Sequence, residues 1–260
     1  MNMKEENYMP APTIVVTGGT SGIGSAISTL LIERGYSVVA TGRNQAQGDE
    51  ISARLGPQFH FTAVDHVAED APNRVIDAYR NLDPDEFGPL VGLVNNVGRR
   101  HNDLIGEHTA QGIADTFAIN VASMILMTQA VVPLLTEAGG GAIVNISSRL
   151  AVAGMVGVSG YAASKGAVNS FTIAAAIELA PKRIRVNSVA PGMTKTPLIE
   201  AWLGEQPDPT AAERQQAEKV PMQRLCSEAD VARAVAYLVS GEAEYVTGVV
   251  LPVDGGYTAA

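Results

Sequence analysis

The 260-residue sequence predicts an α/β domain in which a doubly wound parallel sheet carries helices on both faces. Short β-branched runs alternate with longer helix-period runs along the whole chain, an order that demands parallel pairing and right-handed crossovers. Several of the short runs are almost continuously Val, Ile or Leu, as expected of strands covered on both sides. No Pro/Gly/Ser-rich linker or shift in composition divides the chain. One domain is therefore expected from residue 12 to 260, after a short flexible tail at residues 1–11.

The elements read in order as follows. Thr13–Thr17 is a β-branched strand. It ends in Gly18-Gly19-Thr20-Ser21-Gly22-Ile23-Gly24, and an apolar-periodic helix, Gly22–Gly35, begins directly. Glycines there let a backbone approach a pyrophosphate, and the helix start offers free N–H groups and the positive end of its dipole. Strand, turn and helix together give the context that a dinucleotide-binding turn requires. A second strand at Ser37–Thr41 leads to a helix at Gln45–Leu55. A third at His60–Val64 leads to a helix at Ala71–Leu82. A fourth at Gly92–Asn95 precedes a long helix at Thr109–Glu137. Gly141–Ile146, a helix at Gly160–Leu179, Arg185–Ser188, a helix at Glu228–Ser240 and Val249–Pro252 complete the pattern. The architecture is a single-domain Rossmann fold, with its ligand crevice off the carboxyl ends of the strands. Gly18, Asp65, Asn95 and Ser148 all fall at such ends.

The chemistry points to Tyr161 and Lys165. At i,i+4 on a helix they share one face, with Ser148 thirteen residues upstream of the tyrosine. A cation near a phenol favours the phenolate and brings its pKa toward the working range. A serine hydroxyl can hydrogen-bond a substrate oxygen whose charge changes.

Together these segments resemble the short-chain dehydrogenase/reductase family, from about Pro12 to Tyr257. Thr17-Gly-x-x-x-Gly22-x-Gly24 matches its cofactor loop, and Asn95-Asn96-Val97-Gly98 its Asn-Asn-Ala-Gly segment, with Val97 a departure. Asn120, Ser148, Tyr161 and Lys165 match its catalytic positions. Pro191-Gly192-Met193-Thr194-Lys195-Thr196 matches the segment beside the nicotinamide, and Val253-Asp254-Gly255-Gly256 its carboxy-terminal signature.

The resemblance implies an oxidoreductase that moves a hydride between a nicotinamide and a carbonyl or secondary alcohol. Tyr161 would serve as acid or base and Ser148 would orient the oxygen. Lys165 would lower the Tyr161 pKa and hold the ribose, and Asn120 would hold a helix distortion open and anchor water. The cofactor set implied is Gly18, Thr20, Ser21, Gly22, Ile23, Gly24, Arg43, Asp65, Asn95, Gly98, Tyr161, Lys165, Thr194 and Thr196. Asp65 would bond the adenine amino group and Asn95 would lie beside a ribose, while Asn96 would bind backbone. His66 has no matching role. Strand two ends in Gly42-Arg43-Asn44, with no acid where an NAD-binding domain grips the 2′-hydroxyl. The Arg43 fork suits a 2′-phosphate. NADP(H) is favoured and NAD(H) is the alternative, Arg43 then being a solvated loop arginine. A non-catalytic dinucleotide-sensing protein on the same fold is a further alternative, since a fold does not fix a function.

Composition narrows the partners. Net charge is −9, which repels phosphate backbones and argues against a nucleic acid. The single cysteine, Cys226, forms no internal disulfide, which suits a reducing compartment such as the cytoplasm. The four histidines, His60, His66, His101 and His108, lack ligand spacing, so no metal is expected. Ala118–Leu135 runs 18 residues without a charge, a length near that of a membrane span. Its Asn120, Gln129 and Pro133 fit better a helix buried between the sheet and a partner subunit. The small-residue face of Gly160–Leu179 leads to the expectation of a homo-oligomer, and the resemblance implies a tetramer. Leu150, Met155, Val156 and Val158 suggest an apolar substrate wall, and 197–221 matches the family's variable substrate lid. Arg99-Arg100-His101, at the crevice rim, reads either as a solvated basic loop or as a grip on a substrate carboxylate or phosphate.

Overall fold

In the computed structural model, which describes residues 10–260, all seven sequence-predicted strands enter one parallel sheet. The elements are β1 (Thr13–Val16), α1 (Gly22–Glu33), β2 (Ser37–Gly42), α2 (Gln45–Leu55), β3 (Phe59–Ala63), α3 (Ala71–Arg80), β4 (Leu90–Asn95), α4 (Ala110–Phe117), α5 (Ser123–Glu137), β5 (Gly141–Ile146) and α6 (Ser159–Leu179). They continue with β6 (Ile184–Pro191), β7 (Thr194–Lys195), α7 (Pro197–Gly204), α8 (Pro209–Ala217), β8 (Cys226–Ser227), α9 (Glu228–Val239) and β9 (Val250–Val253). The main sheet runs β3-β2-β1-β4-β5-β6-β9. Winding reverses between β1 and β4, and that switch point opens the crevice at the carboxyl ends.

Alternation along the strands builds two apolar layers. Ile14, Val16, Val38 and Val144 face α1 and α9 through Ile27, Leu31, Val231 and Val235. Val15, Val39, Leu93 and Ile143 face the other way, against Val75, Met127, Val131 and Leu135. Both faces of the strands are filled, which is why their sequences show no polar alternation. Arg185 ties α9 to β6 by donating to the carbonyls of Leu238 (2.7 Å) and Ser240 (3.0 Å) at the helix end.

Three expectations need adjustment. The long helix expected at Thr109–Glu137 is two helices joined by a π-helical turn, Ala118–Ala122. The run Ala118–Leu135 is uncharged and apolar on most sides, so the phase shift of one extra residue did not show in its pattern, and the distortion at Asn120 was implied only by the resemblance. The same run, Ala110–Glu137, is long and apolar enough to cross a bilayer, yet it packs on the sheet through Met127, Val131 and Leu135. The lid segment carries structure of its own, α7 and α8, closed off by the short β7–β8 ladder and by Lys195 on Glu213 at 3.0 Å. Finally, residues 1–9 of the expected tail lie outside the described residues, whereas Ala11 already accepts the Gly88 N–H at 2.9 Å.

Candidate active site

The site forms where β5 ends. Ser148 begins the short 3-10 turn Arg149–Ala151, and its oxygen accepts the Leu150 N–H at 3.1 Å. That bond fixes the hydroxyl oxygen while its proton remains to be donated. Eleven residues later α6 starts, and it delivers Tyr161 and Lys165 from its first two turns to the same place. Lys165 is buried, donates to the Ile146 carbonyl at 2.7 Å, and lies 5.9 Å from the centre of the Tyr161 ring. A Cβ on Gly98 would meet Lys165 Nζ at 3.2 Å and Asn120 Oδ1 at 3.3 Å, so a side chain there would press on both groups where lysine, asparagine and loop converge.

Asn120 explains the π-helical turn. Its Oδ1 accepts the Arg99 N–H at 2.7 Å, and its Nδ2 donates to the Arg99 carbonyl at 2.9 Å and to Ser164 Oγ at 3.0 Å. Ser164 in turn donates to the Tyr161 carbonyl at 2.7 Å. One buried amide thereby links the loop after β4 to the helix that carries the tyrosine. Ser164 was not singled out from sequence; its place directly before Lys165 was the available signal.

Burial raises the Tyr161 phenol above its usual value, against opposing pulls from the Ser148 hydroxyl and then from the Arg100 charge. Lys165 lies in the same pocket, its Nζ 5.9 Å from the Tyr161 ring centre. Its ammonium bonds a backbone carbonyl and is itself lowered to about 8 by burial.

The glycine turn fits a dinucleotide. Gly18 (φ 64°) and Gly22 (φ 53°) take left-handed backbone that other residues avoid. Ser21 and Gly22 sit at the start of α1, where no side chain caps the helix. The first-turn N–H groups of Gly22, Ile23 and Gly24 have no backbone acceptor, the first such bond running from Ser25 to Ser21. Three aimed donors at a dipole end match a pyrophosphate. Thr17 Oγ1 accepts the N–H groups of Asn96 (2.9 Å) and Val97 (3.1 Å), and Asn96 Nδ2 donates to the carbonyls of Thr17 and Gly18. The turn is thus sewn to the loop after β4, as expected for Asn96.

Arg43 and Asp65 stand exposed just past the ends of β2 and β3. Thr20 is buried, with its hydroxyl on Gln47 Oε1 at 3.4 Å. Thr194 turns its hydroxyl to the Gly192 carbonyl at 3.2 Å, whereas Thr196 heads α7 without a side-chain cap bond. Asn95 departs from expectation. Its side chain points into the interior, donating to Asn145 Oδ1 at 2.9 Å and Thr128 Oγ1 at 3.2 Å, and so does not reach a ribose. Asn145 continues the chain to Thr172. The polar letter inside Ala-Ile-Val-Asn145-Ile was the overlooked sign of this buried ladder. His66, without an expected role, bonds Thr41 Oγ1 at 2.7 Å, and burial lowers it to about 4.

Comparison with known proteins agrees with this geometry. A family model described as "Enoyl-(Acyl carrier protein) reductase" matches residues 18–258. A solved structure titled "short chain dehydrogenase/reductase family protein" superposes with a TM-score of 0.85 at 32% identity, covering 97% of this chain and all of that one. The chain belongs to the short-chain dehydrogenase/reductase family. Cyclopentanol dehydrogenase of Comamonas sp. (strain NCIMB 9872) is 37% identical over 249 residues, 95% of this chain and 96% of that protein. A 2,5-dichloro-2,5-cyclohexadiene-1,4-diol dehydrogenase of Sphingobium indicum is 32% identical over 255 residues, 97% and 98% of the two chains. As a family member the chain is an oxidoreductase of the CH–OH/C=O type that works with a nicotinamide dinucleotide.

Proposed function

We propose that this enzyme interconverts a secondary alcohol and its ketone with NADP(H). The observation that carries the reading is the convergence of Ser148, Tyr161 and Lys165 beside the Asn120 clamp. When bound, the nicotinamide supplies or accepts the hydride at the substrate carbon. Tyr161 gives its proton to the carbonyl oxygen on reduction and takes one from the alcohol on oxidation. Ser148 donates to the same oxygen and fixes its direction. Lys165 holds the ribose side with its remaining donors, and Gly22, Ile23 and Gly24 hold the pyrophosphate. Consumption of NADPH with a panel of cyclic and open-chain ketones tests the reading, and a flat trace across the panel overturns it.

NADP(H) over NAD(H) rests on Arg43, which is exposed and forms no ion pair among the described residues, leaving its fork available for a 2′-phosphate. Arg43→Ala should weaken NADPH binding about ten- to a hundredfold and leave NADH binding nearly unchanged. Titration of the wild type with both cofactors checks this, and tighter NADH binding refutes it.

The enzyme is further proposed to be a cytoplasmic homotetramer, with a dimer as the lesser assembly. Ile173 and Ile177 on α6 and Leu126 on α5 are exposed apolar residues, the kind of surface that contact with a second copy would cover. Light scattering should return a multiple of 27.1 kDa, and Ala167→Glu on α6 should shift the mass toward a single chain. A wild-type mass of one chain at micromolar concentration overturns the assembly.

A further inference from the structure

The basic loop after β4 is not a loose solvated turn. Asn120 grips both backbone groups of Arg99, and Asp103 pairs as a β-bridge with Val158, three residues before Tyr161. His108 adds a 2.9 Å bond to Ser159. Held at both ends, this loop stands beside the start of α6, and the charge of Arg100 is felt by both the Tyr161 phenol and Arg149.

The two cations differ in how they are matched. Arg149 stacks on Tyr257, its guanidinium carbon 3.7 Å from the ring centre, and faces the charge of Asp254. Arg100 forms no ion pair among the described residues. The carboxylates nearby are engaged: Asp103 lies 3.8 Å from His108, and Asp254 accepts from Thr258 and Gly256. Only the Nε edge of Arg100 is used, donating to Asn102 Oδ1 at 2.8 Å. The outer edge keeps two parallel Nη donors, which match the two oxygens of a carboxylate. Beside it, Val152, Met155 and Val156 present apolar side chains from the segment between Ser148 and Tyr161.

We propose that the substrate is an apolar hydroxy acid or keto acid, its carboxylate held by Arg100 while its alcohol or ketone oxygen lies on Tyr161 and Ser148. The proposal rests on the alcohol/ketone reading above and names its substrate class. A carboxylate is proposed because its two oxygens match the two Nη donors on the outer edge of Arg100.

The test uses the full-length enzyme with a hydroxycycloalkanecarboxylate, its methyl ester and the parent cycloalkanol, each supplied with NADP⁺ and separately with NAD⁺. Wild type should favour the acid over the ester about tenfold in kcat/KM, the modest size reflecting the exposure of Arg100. In Arg100→Gln the ratio should fall to about one, and Arg100→Lys should keep part of it. Because acid and ester share the same phenol, the ratio cancels any change that the substitution makes at Tyr161. Equal use of acid and ester by wild type, or an unchanged ratio in Arg100→Gln, overturns the carboxylate proposal and leaves the alcohol reading standing. If no alcohol or acid is oxidised with either cofactor, both fall together.

Discussion

Tyr161→Phe should abolish turnover almost completely while leaving the cofactor bound. The substitution removes one oxygen and keeps the ring that packs at the start of α6. Positioned proton transfer contributes about a hundred- to ten-thousandfold in enzymes of this kind of chemistry, so kcat should fall by that range. NADPH affinity should change little, because the donors assigned to the pyrophosphate sit on α1, across the switch point. Steady-state rates and direct cofactor titration of the variant check both halves. Near-wild-type kcat would remove Tyr161 from the mechanism, and loss of NADPH binding would show that the phenol has a structural duty instead.

The same phenol dictates how the two directions respond to pH. Burial raises its pKa above the ordinary 10.0, so at neutral pH it is protonated and ready to donate. Carbonyl reduction uses that form and should be level across the neutral range, declining only in alkali. Alcohol oxidation uses the phenolate, a small fraction that grows about tenfold with each pH unit below the pKa. Oxidation should therefore climb steadily with pH. Both trends should vanish in Tyr161→Phe, whose residual rate has no phenol to titrate.

Much of this was legible in the sequence, for identifiable reasons. Strands buried on both faces must be apolar throughout, so β1, β2, β4 and β5 announced themselves as runs, and the glycines before α1 fixed the turn. Tyr161, Lys165 and Ser148 were readable because a helix turns i,i+4 into adjacency and a strand end sets the serine beside it. Contacts made across the fold were not readable. Asn120 and Arg99 are 21 residues apart, and nothing local says that one amide will clamp the other's backbone. Asn95 carried the right residue type at the right strand end, yet a strand's alternation turned it inward to Asn145. Sequence gives the spacing of Lys165 but not the Ile146 carbonyl that holds its ammonium, nor the loop that brings Arg100 near.

Gly24→Ala should cost the enzyme its cofactor by a different physical route from Gly22→Ala, although both lie in the same turn. Gly22 has φ 53°, but a Cβ there meets nothing closer than Glu228 Oε1 at 3.6 Å. Its penalty is conformational, roughly 1–2 kcal/mol for an L-residue in left-handed backbone. The turn can hold its course. Gly24 has ordinary backbone but no room: a Cβ would be driven into the Gly18 carbonyl oxygen and would stand 2.6 Å from Asn96 Nδ2. Those are backbone and a committed amide, so neither can swing aside as a flexible side chain would. Relief requires α1 to shift away from the Gly18 turn or Asn96 to give up its bonds to Thr17 and Gly18, and either displaces the three N–H donors of the helix start. Gly24→Ala should therefore lose NADPH binding by about a hundredfold or more, the value of at least two charge-assisted bonds. Gly22→Ala should show a lowered Tm with a far smaller loss of affinity. Melting curves and cofactor titrations of the two variants separate the routes, and equal affinities for Gly24→Ala and wild type would mean that the helix start does not hold the pyrophosphate.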